Sequence, residues 1–177
     1  MQDTPGDVGN LDPRVPFAIP HMHEPIAVDS ALWPLVRIAH SGAAQAEDYA
    51  RLLRGHEQAV ALKTPFAVLA YGDGVPDSDG RRAIAQALRE RREDVERYCV
   101  GMAVVIDSPA QRSALTAIHW ACQPDTPFAP FSTYAGALQW CTDRLERRRA
   151  LPRRLAEHLQ ASLHTRSTVP PSPAVSG

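Results

Sequence analysis

The sequence has no apolar run that approaches the roughly 20 residues needed to cross a bilayer. Its first twenty residues carry acidic and proline punctuation where a secretion signal would carry an apolar stretch. A membrane protein is thereby set aside, and a cytoplasmic protein is expected. Cysteine is scarce: Cys99, Cys122 and Cys141 are odd in number, far apart and set in apolar surroundings, which excludes a disulfide framework and reads as reduced core residues. Lysine is scarcer still, because Lys63 stands alone beside eighteen arginines, a usage that suits a high-GC, bacterial genome. An excess of either charge is missing too: 19 Lys and Arg nearly balance 20 Asp and Glu. The net charge of −1 gives no global reason to expect nucleic acid or an acidic membrane as partner.

Catalytic and cofactor motifs are also lacking. There is no GxSxG elbow, no phosphate-binding GxxxxGK[ST] loop and no GxGxxG. Gly72-Asp73-Gly74 after a strand is a partial dinucleotide cue, but the next glycine is Gly80, past Pro76. His21-Met22-His23 and the isolated His40, His56, His119, His158 and His164 come with no HxxxH pair, CxxC or His-Asp-His cluster. No cofactor, no metal and no enzymatic activity are therefore expected.

What is present is a chain of 177 residues, enough for one domain with a real core, with 44% hydrophobic and 22% charged residues, as in ordinary globular proteins. Residues 1–24 hold four prolines among Gly and Asp and read as a flexible arm, and 165–177 read as a disordered tail. Between them apolar and helical patterns alternate. Pro25–Val28 and Leu32–His40 read as a strand pair with its turn at Asp29-Ser30. Ala43–Leu62 carries a helical stripe through Tyr49, Leu52 and Val60, with a break allowed at Gly55.

Phe66–Tyr71 and Val100–Ile106 are continuous apolar runs of the kind a strand buried on both faces shows. Gly72–Gly80 is dense in turn formers, and Ser78 or Asp79 is placed to cap the helix expected over Gly80–Tyr98. Asp107-Ser108-Pro109 supplies a cap and a first-turn proline for a helix over Pro109–Cys122. Thr126–Phe131 suits an edge strand despite its prolines, and Tyr134–Leu145 suits a helix burying Ala137, Leu138, Cys141 and Leu145. The resulting order is an α/β domain over 25–146: a four- to five-stranded, mostly parallel sheet with helices mainly on one face. A C-terminal helical extension over 147–164 follows, restarted at Pro152.

This element order, the strand-to-helix segment CVGMAVVIDSPAQRSALTAIHW with Arg112 and Trp120, and the closing YAGALQW resemble the STAS-like family, named for sulfate transporters and anti-sigma factor antagonists. The resemblance is to small bacterial members and covers about residues 33–146. It implies a non-enzymatic switch in which a serine at a helix N-terminus is phosphorylated by a partner kinase. Asp77-Ser78-Asp79-Gly80 is similar to the Asp-Ser-Ser-Gly phosphosite of the family, which puts the switch on Ser78. A phosphate there would meet unpaired backbone N–H groups, with Arg81 and Arg82 one turn on. Asp77 and Asp79 would repel it, and the plain alternative is a helix cap.

In a parallel sheet the loops leaving strand C-termini share one edge, so Gly72–Gly80 and Asp107–Arg112 are expected to be neighbours. Ser108 and Arg112 are accordingly candidates for a ligand or anion site; the alternative is that Ser108 caps its helix and Arg112 pairs with an acid. Arg144, Arg147, Arg148, Arg149, Arg153 and Arg154 form a basic segment that reads either as a solvated helix face or as a contact for an acidic partner. Two functions follow as expectations. One is a regulatory or adaptor protein that binds a protein partner, such as a kinase or regulatory protein, through the Gly72–Gly80 loop; a homodimer is compatible with it. The other is a small-molecule or lipid binder with a strand-edge pocket near Ser108 and Arg112.

Overall fold

The computed structural model describes residues 24–106, 108–122 and 125–167, with side chains described at all of these except 119, 120, 122 and 162–167. His21-Met22-His23, Asp107 and nearly all of the expected arm and tail lie outside the described residues, as do the side chains of His119, Trp120, Cys122 and His164. The chain runs β1 (Ile26–Leu32), β2 (Leu35–His40), α1 (Ala46–Ala61), β3 (Phe66–Tyr71), α2 (Ser78–Glu90) and α3 (Arg92–Tyr98). It continues through β4 (Cys99–Val105), α4 (Pro109–Cys122), β5 (Phe128–Phe131), α5 (Tyr134–Arg147) and α6 (Arg153–Ser167). The five strands form one sheet in the order β1-β2-β3-β4-β5. β1 and β2 are antiparallel and every later pairing is parallel. The mostly parallel α/β sheet expected from the sequence is the observed one.

Local differences have identifiable causes. The hairpin turns at Trp33-Pro34 rather than at Asp29-Ser30, and β1 continues to Leu32 with a bulge after Asp29. Asp29 Oδ1 accepts the Ala31 N–H at 2.8 Å, and the Asp29 carboxylate pairs with Arg37 directly across the ladder. The turn-forming residues therefore bend the strand without ending it. α1 runs through Gly55 unbroken, since a Cβ there would sit 2.8 Å from Val28 Cγ1 and the bare backbone lets the helix settle on β1. The single helix expected over Gly80–Tyr98 is two helices. Arg91 leaves helical geometry (φ −114°, ψ 20°) and pairs with Glu57 of α1 at 2.6 Å, and α3 carries Val95 into the cluster of Val36, Val60, Phe66 and Cys99.

Helices cover both faces. α1 to α4 lie over the face that carries Val36, Ile38, Val68 and Met102. α5 and α6 cover the opposite face, where Leu35, Ala67, Leu69 and Ala103 meet Leu138, Cys141 and Leu145. α6 joins this same core through Leu155 and Leu159, so the helix read as an extension packs into the domain. The chain turns into it at Arg149, held in the left-handed region at φ 52°. β5 forms one edge of the sheet, where Pro130 withholds an N–H that no further strand needs.

Candidate functional site

The C-terminal ends of β2 and β3 meet at a segment where side chains have been removed to bring backbone close. Gly72 sits at φ +113°, and a Cβ on it would lie 2.1 Å from the His40 carbonyl oxygen; only glycine fits both demands. The Gly74 N–H donates to that carbonyl at 2.9 Å, and a Cβ on Gly74 would meet the His40 ring at 2.7 Å. A Cβ on Gly80, inside α2, would meet Tyr49 Cζ at 2.2 Å. The glycines that read as loop punctuation thus let the Gly72–Gly80 segment close down on His40 and Tyr49, whose rings pack edge to face with centroids 6.3 Å apart.

α4 is fastened to this edge by its own cap. Ser108 Oγ accepts the Gln111 N–H at 3.2 Å and Gln111 Oε1 accepts the Ser108 N–H at 3.1 Å, a reciprocal capping box. The Gln111 amide then donates to the Gly72 carbonyl at 2.6 Å, so the two loops are neighbours as the parallel topology requires. At its other end α4 is tied to α2, with Arg89 Nη1 donating to the Ala121 carbonyl at 2.9 Å. Arg112 is exposed.

Ser78 is exposed in the first turn of α2, but neither it nor Asp79 is the cap. Asp77 is: its backbone is extended and its carboxylate accepts the Gly80 N–H at 2.7 Å. Arg81 donates to the Pro76 carbonyl at 2.7 Å, and Arg82 faces Asp79 at 3.4 Å. The two arginines expected to receive a phosphate on Ser78 are thus engaged with the chain itself.

Between these helices and the sheet lies a cavity of about 200 Å³. α2 packs on α1, α3 and α4, and α4 on α2, rather than down onto the strands. The floor is Ile38, Val68, Ala70, Met102 and Val104, and the roof is Leu52, Ile84, Leu88, Ala114, Leu115 and Ile118. His40, Tyr49, Gly72, Gly74 and Gln111 line its end at the strand C-termini. Among the described residues no Arg, Lys, Asp or Glu lines it, and neither do Ser108 and Arg112. Gln111, between those two residues in sequence, is the residue at this end of α4 that lines the cavity.

Among the described residues, His40 Nε2 and Tyr49 Oη are buried without a hydrogen-bond partner; the backbone of Asp77 lies beside the Tyr49 hydroxyl and that of Gly74 beside the His40 ring. Burial lowers the His40 pKa despite the opposing pull of Asp73 and Asp48, so the imidazole is neutral at pH 7. In the sequence His40 is an isolated histidine and Tyr49 a residue of the α1 apolar stripe. The signal that marks His40 is its position, the last residue of a strand on the edge where ligands of parallel sheets sit.

Elsewhere the chemistry is quiet. Burial pushes the thiols of Cys99 and Cys141 up to about 12, which leaves them protonated and unreactive. Among the described residues no group of three or more His, Cys, Asp or Glu is placed to hold a metal ion, and no helix is long and apolar enough to cross a membrane. In the basic segment Arg153 pairs with Glu157 at 3.0 Å and Arg144 lies 4.7 Å over the Trp140 ring, while Arg147, Arg148, Arg149 and Arg154 are exposed. Comparison of the chain with family models, with curated proteins and with solved structures found no match.

Proposed function

We propose that this protein is a non-catalytic binding protein that takes a small apolar molecule into the cavity between the sheet and α1, α2 and α4. The observation that carries this reading is the cavity itself: about 200 Å³ of apolar space between the helices and the sheet, partly open to the surface, where close packing is the rule. A cavity of about 150 Å³ with apolar walls stays dry and takes up benzene, so this one has room for a single ring with a short alkyl chain. Burial of such a ligand is driven by removing its apolar surface from water.

The test is calorimetric titration with n-propylbenzene. Saturable one-to-one binding is expected, and Ala114→Phe, which grows a side chain into the space, is expected to abolish it. A folded wild-type protein that takes up no heat-detectable propylbenzene refutes the reading.

A second reading, a regulatory or adaptor protein of the STAS-like kind acting through protein–protein binding, draws support from one observation. The loop that lines the end of the cavity with Gly72, Gly74 and Pro76 also presents Ser78 to solvent, so a partner that reads this loop would read the state of the cavity. Affinity capture on the wild type and on Ser78→Asp tests it: a protein partner lost in the variant supports a switch at Ser78, and identical capture on both counts against it.

A further inference from the structure

We propose that the turn between α5 and α6 is a docking site for duplex nucleic acid, held through its phosphates by Arg147, Arg148, Arg149 and Arg154. The near-neutral total charge hides a local excess: from 146 to 157 five arginines stand against two glutamates. One of the two, Glu157, is taken by Arg153 at 3.0 Å. The four named arginines are exposed and have no ion pair among the described residues.

Three of the five arginines stand where the fold alone favours something else. α5 ends in a Schellman turn, in which the Arg149 N–H donates to the Glu146 carbonyl at 2.8 Å and the Ala150 N–H to the Leu145 carbonyl at 2.9 Å. The left-handed residue of that turn is Arg149, at φ 52°, where glycine is the unstrained choice. A cation does suit a helix C-terminus, but Arg144 and Arg147 in the last turn already supply it. α6 then opens with Arg153 and Arg154 and has no acid in its first turn, so two positive charges lie at the positive end of the helix dipole. Placements that oppose local stability with no compensating gain inside the domain mark a surface used by something outside it.

The patch also selects among polyanions. Between 146 and 157 there is no aromatic residue, and Ala150, Leu151 and Leu155 pack into the core. An acidic protein partner is held mainly by buried aromatic and apolar anchors, and a single strand needs aromatic faces on which its bases stack; the turn offers neither. A duplex needs only closely spaced cations, because it carries a phosphate every ~1.7 Å along its axis and gains by releasing counterions.

The experiment is fluorescence anisotropy of a labelled DNA duplex titrated with the full chain over a series of NaCl concentrations. Affinity should fall with salt at a log–log slope of about −3.6, the value for four neutralised phosphates. Arg149→Gly should weaken binding about threefold and take roughly one unit off the slope. It should also raise the urea midpoint, which loss of a merely structural arginine would not do. Arg154→Glu should weaken binding about tenfold. Arg82→Glu makes the same change of charge in the first turn of α2, at the opposite edge of the sheet, and should stay within about twofold of the wild type. Equal losses from Arg154→Glu and Arg82→Glu would reduce the effect to net charge and overturn the site. Tighter binding to poly-glutamate or to phosphatidylglycerol vesicles than to the duplex would assign the turn to an acidic protein or to a lipid surface, and overturn it likewise. So would a wild type that shows no salt-dependent binding. None of these outcomes bears on the cavity.

Discussion

The two faces of the sheet are built from alternate residues of the same strands and end in opposite states. Under α5, Gly101 and Ala103 on β4 leave room that Trp140 and Arg144 fill, so closely that a Cβ on Gly101 would lie 2.6 Å from Trp140 Cη2 and 2.7 Å from Arg144 Cδ. Leu145, Cys141 and Leu159 are buried completely there. Under α2 and α4 large residues stand on both layers, Met102 and Val104 on the floor and Leu88, Leu115 and Ile118 on the roof, with space left between them. Small-on-strand against large-on-helix closes β4 on one face. On the other, α2 and α4 are propped on each other rather than on the strands, and the space remains. Stability is concentrated on the first face and the capacity to take up a molecule on the second.

The sharpest way to break this comparison is to make one substitution on both faces. Leu145→Ala should cost about 3 kcal/mol in urea denaturation, because it opens a void in a filled layer. Leu115→Ala, which enlarges a space already present, should cost roughly half of that or less; equal losses would mean that the faces are packed alike. Next in size, Gly101→Val should cost about 2 kcal/mol through overpacking against Trp140, seen as a lower urea midpoint. Ala114→Leu should act with the opposite sign, raising stability by about 0.5–1 kcal/mol as the added atoms fill empty volume, at the expense of propylbenzene binding.

The smallest effect is a pH slope. His40 and His56 are both lowered in the fold, His40 by burial and His56 by burial and then by Arg91. As pH falls, the unfolded chain, with histidines near the ordinary value of about 6.5, takes up protons before the folded one. Their contribution is therefore complete above that value and declines as pH drops through it towards the lower folded values. Urea midpoints should fall between pH 7.5 and 5.5. His56→Leu, on the wall of the closed α1–β3 cluster, should flatten part of that slope, and an unchanged slope would exclude it as a contributor.

What was legible in the sequence was what neighbours along the chain decide. FAVLAY and the run into Ile106 declared β3 and β4 by unbroken apolar character, and Ser108-Pro109 marked the start of α4 to the residue. Asp29-Ser30 misled because a turn former obeys its partner across the ladder, and Arg37 keeps Asp29 in the strand. Asp77 was overlooked as a cap because three adjacent capping residues compete and backbone conformation chooses among them. The strand edge was placed correctly and Ser108 took its expected capping role, yet the cavity was not legible. A void is set by how far two helices stand from a sheet, and no local pattern encodes that distance.

The two fastenings of α4 have a mechanical consequence. With Gln111 pinned to the end of β3 and Ala121 held by Arg89 of α2, the helix is a beam tied at both ends above the cavity, and releasing either tie widens the way beneath it. Affinity and exchange rate then belong to different residues: the walls set how tightly a molecule is held, and the pins set how long it waits at the door. Arg89→Ala, at the tie that lies outside the cavity wall, should speed exchange in line-broadening measurements while leaving the propylbenzene affinity almost where it was.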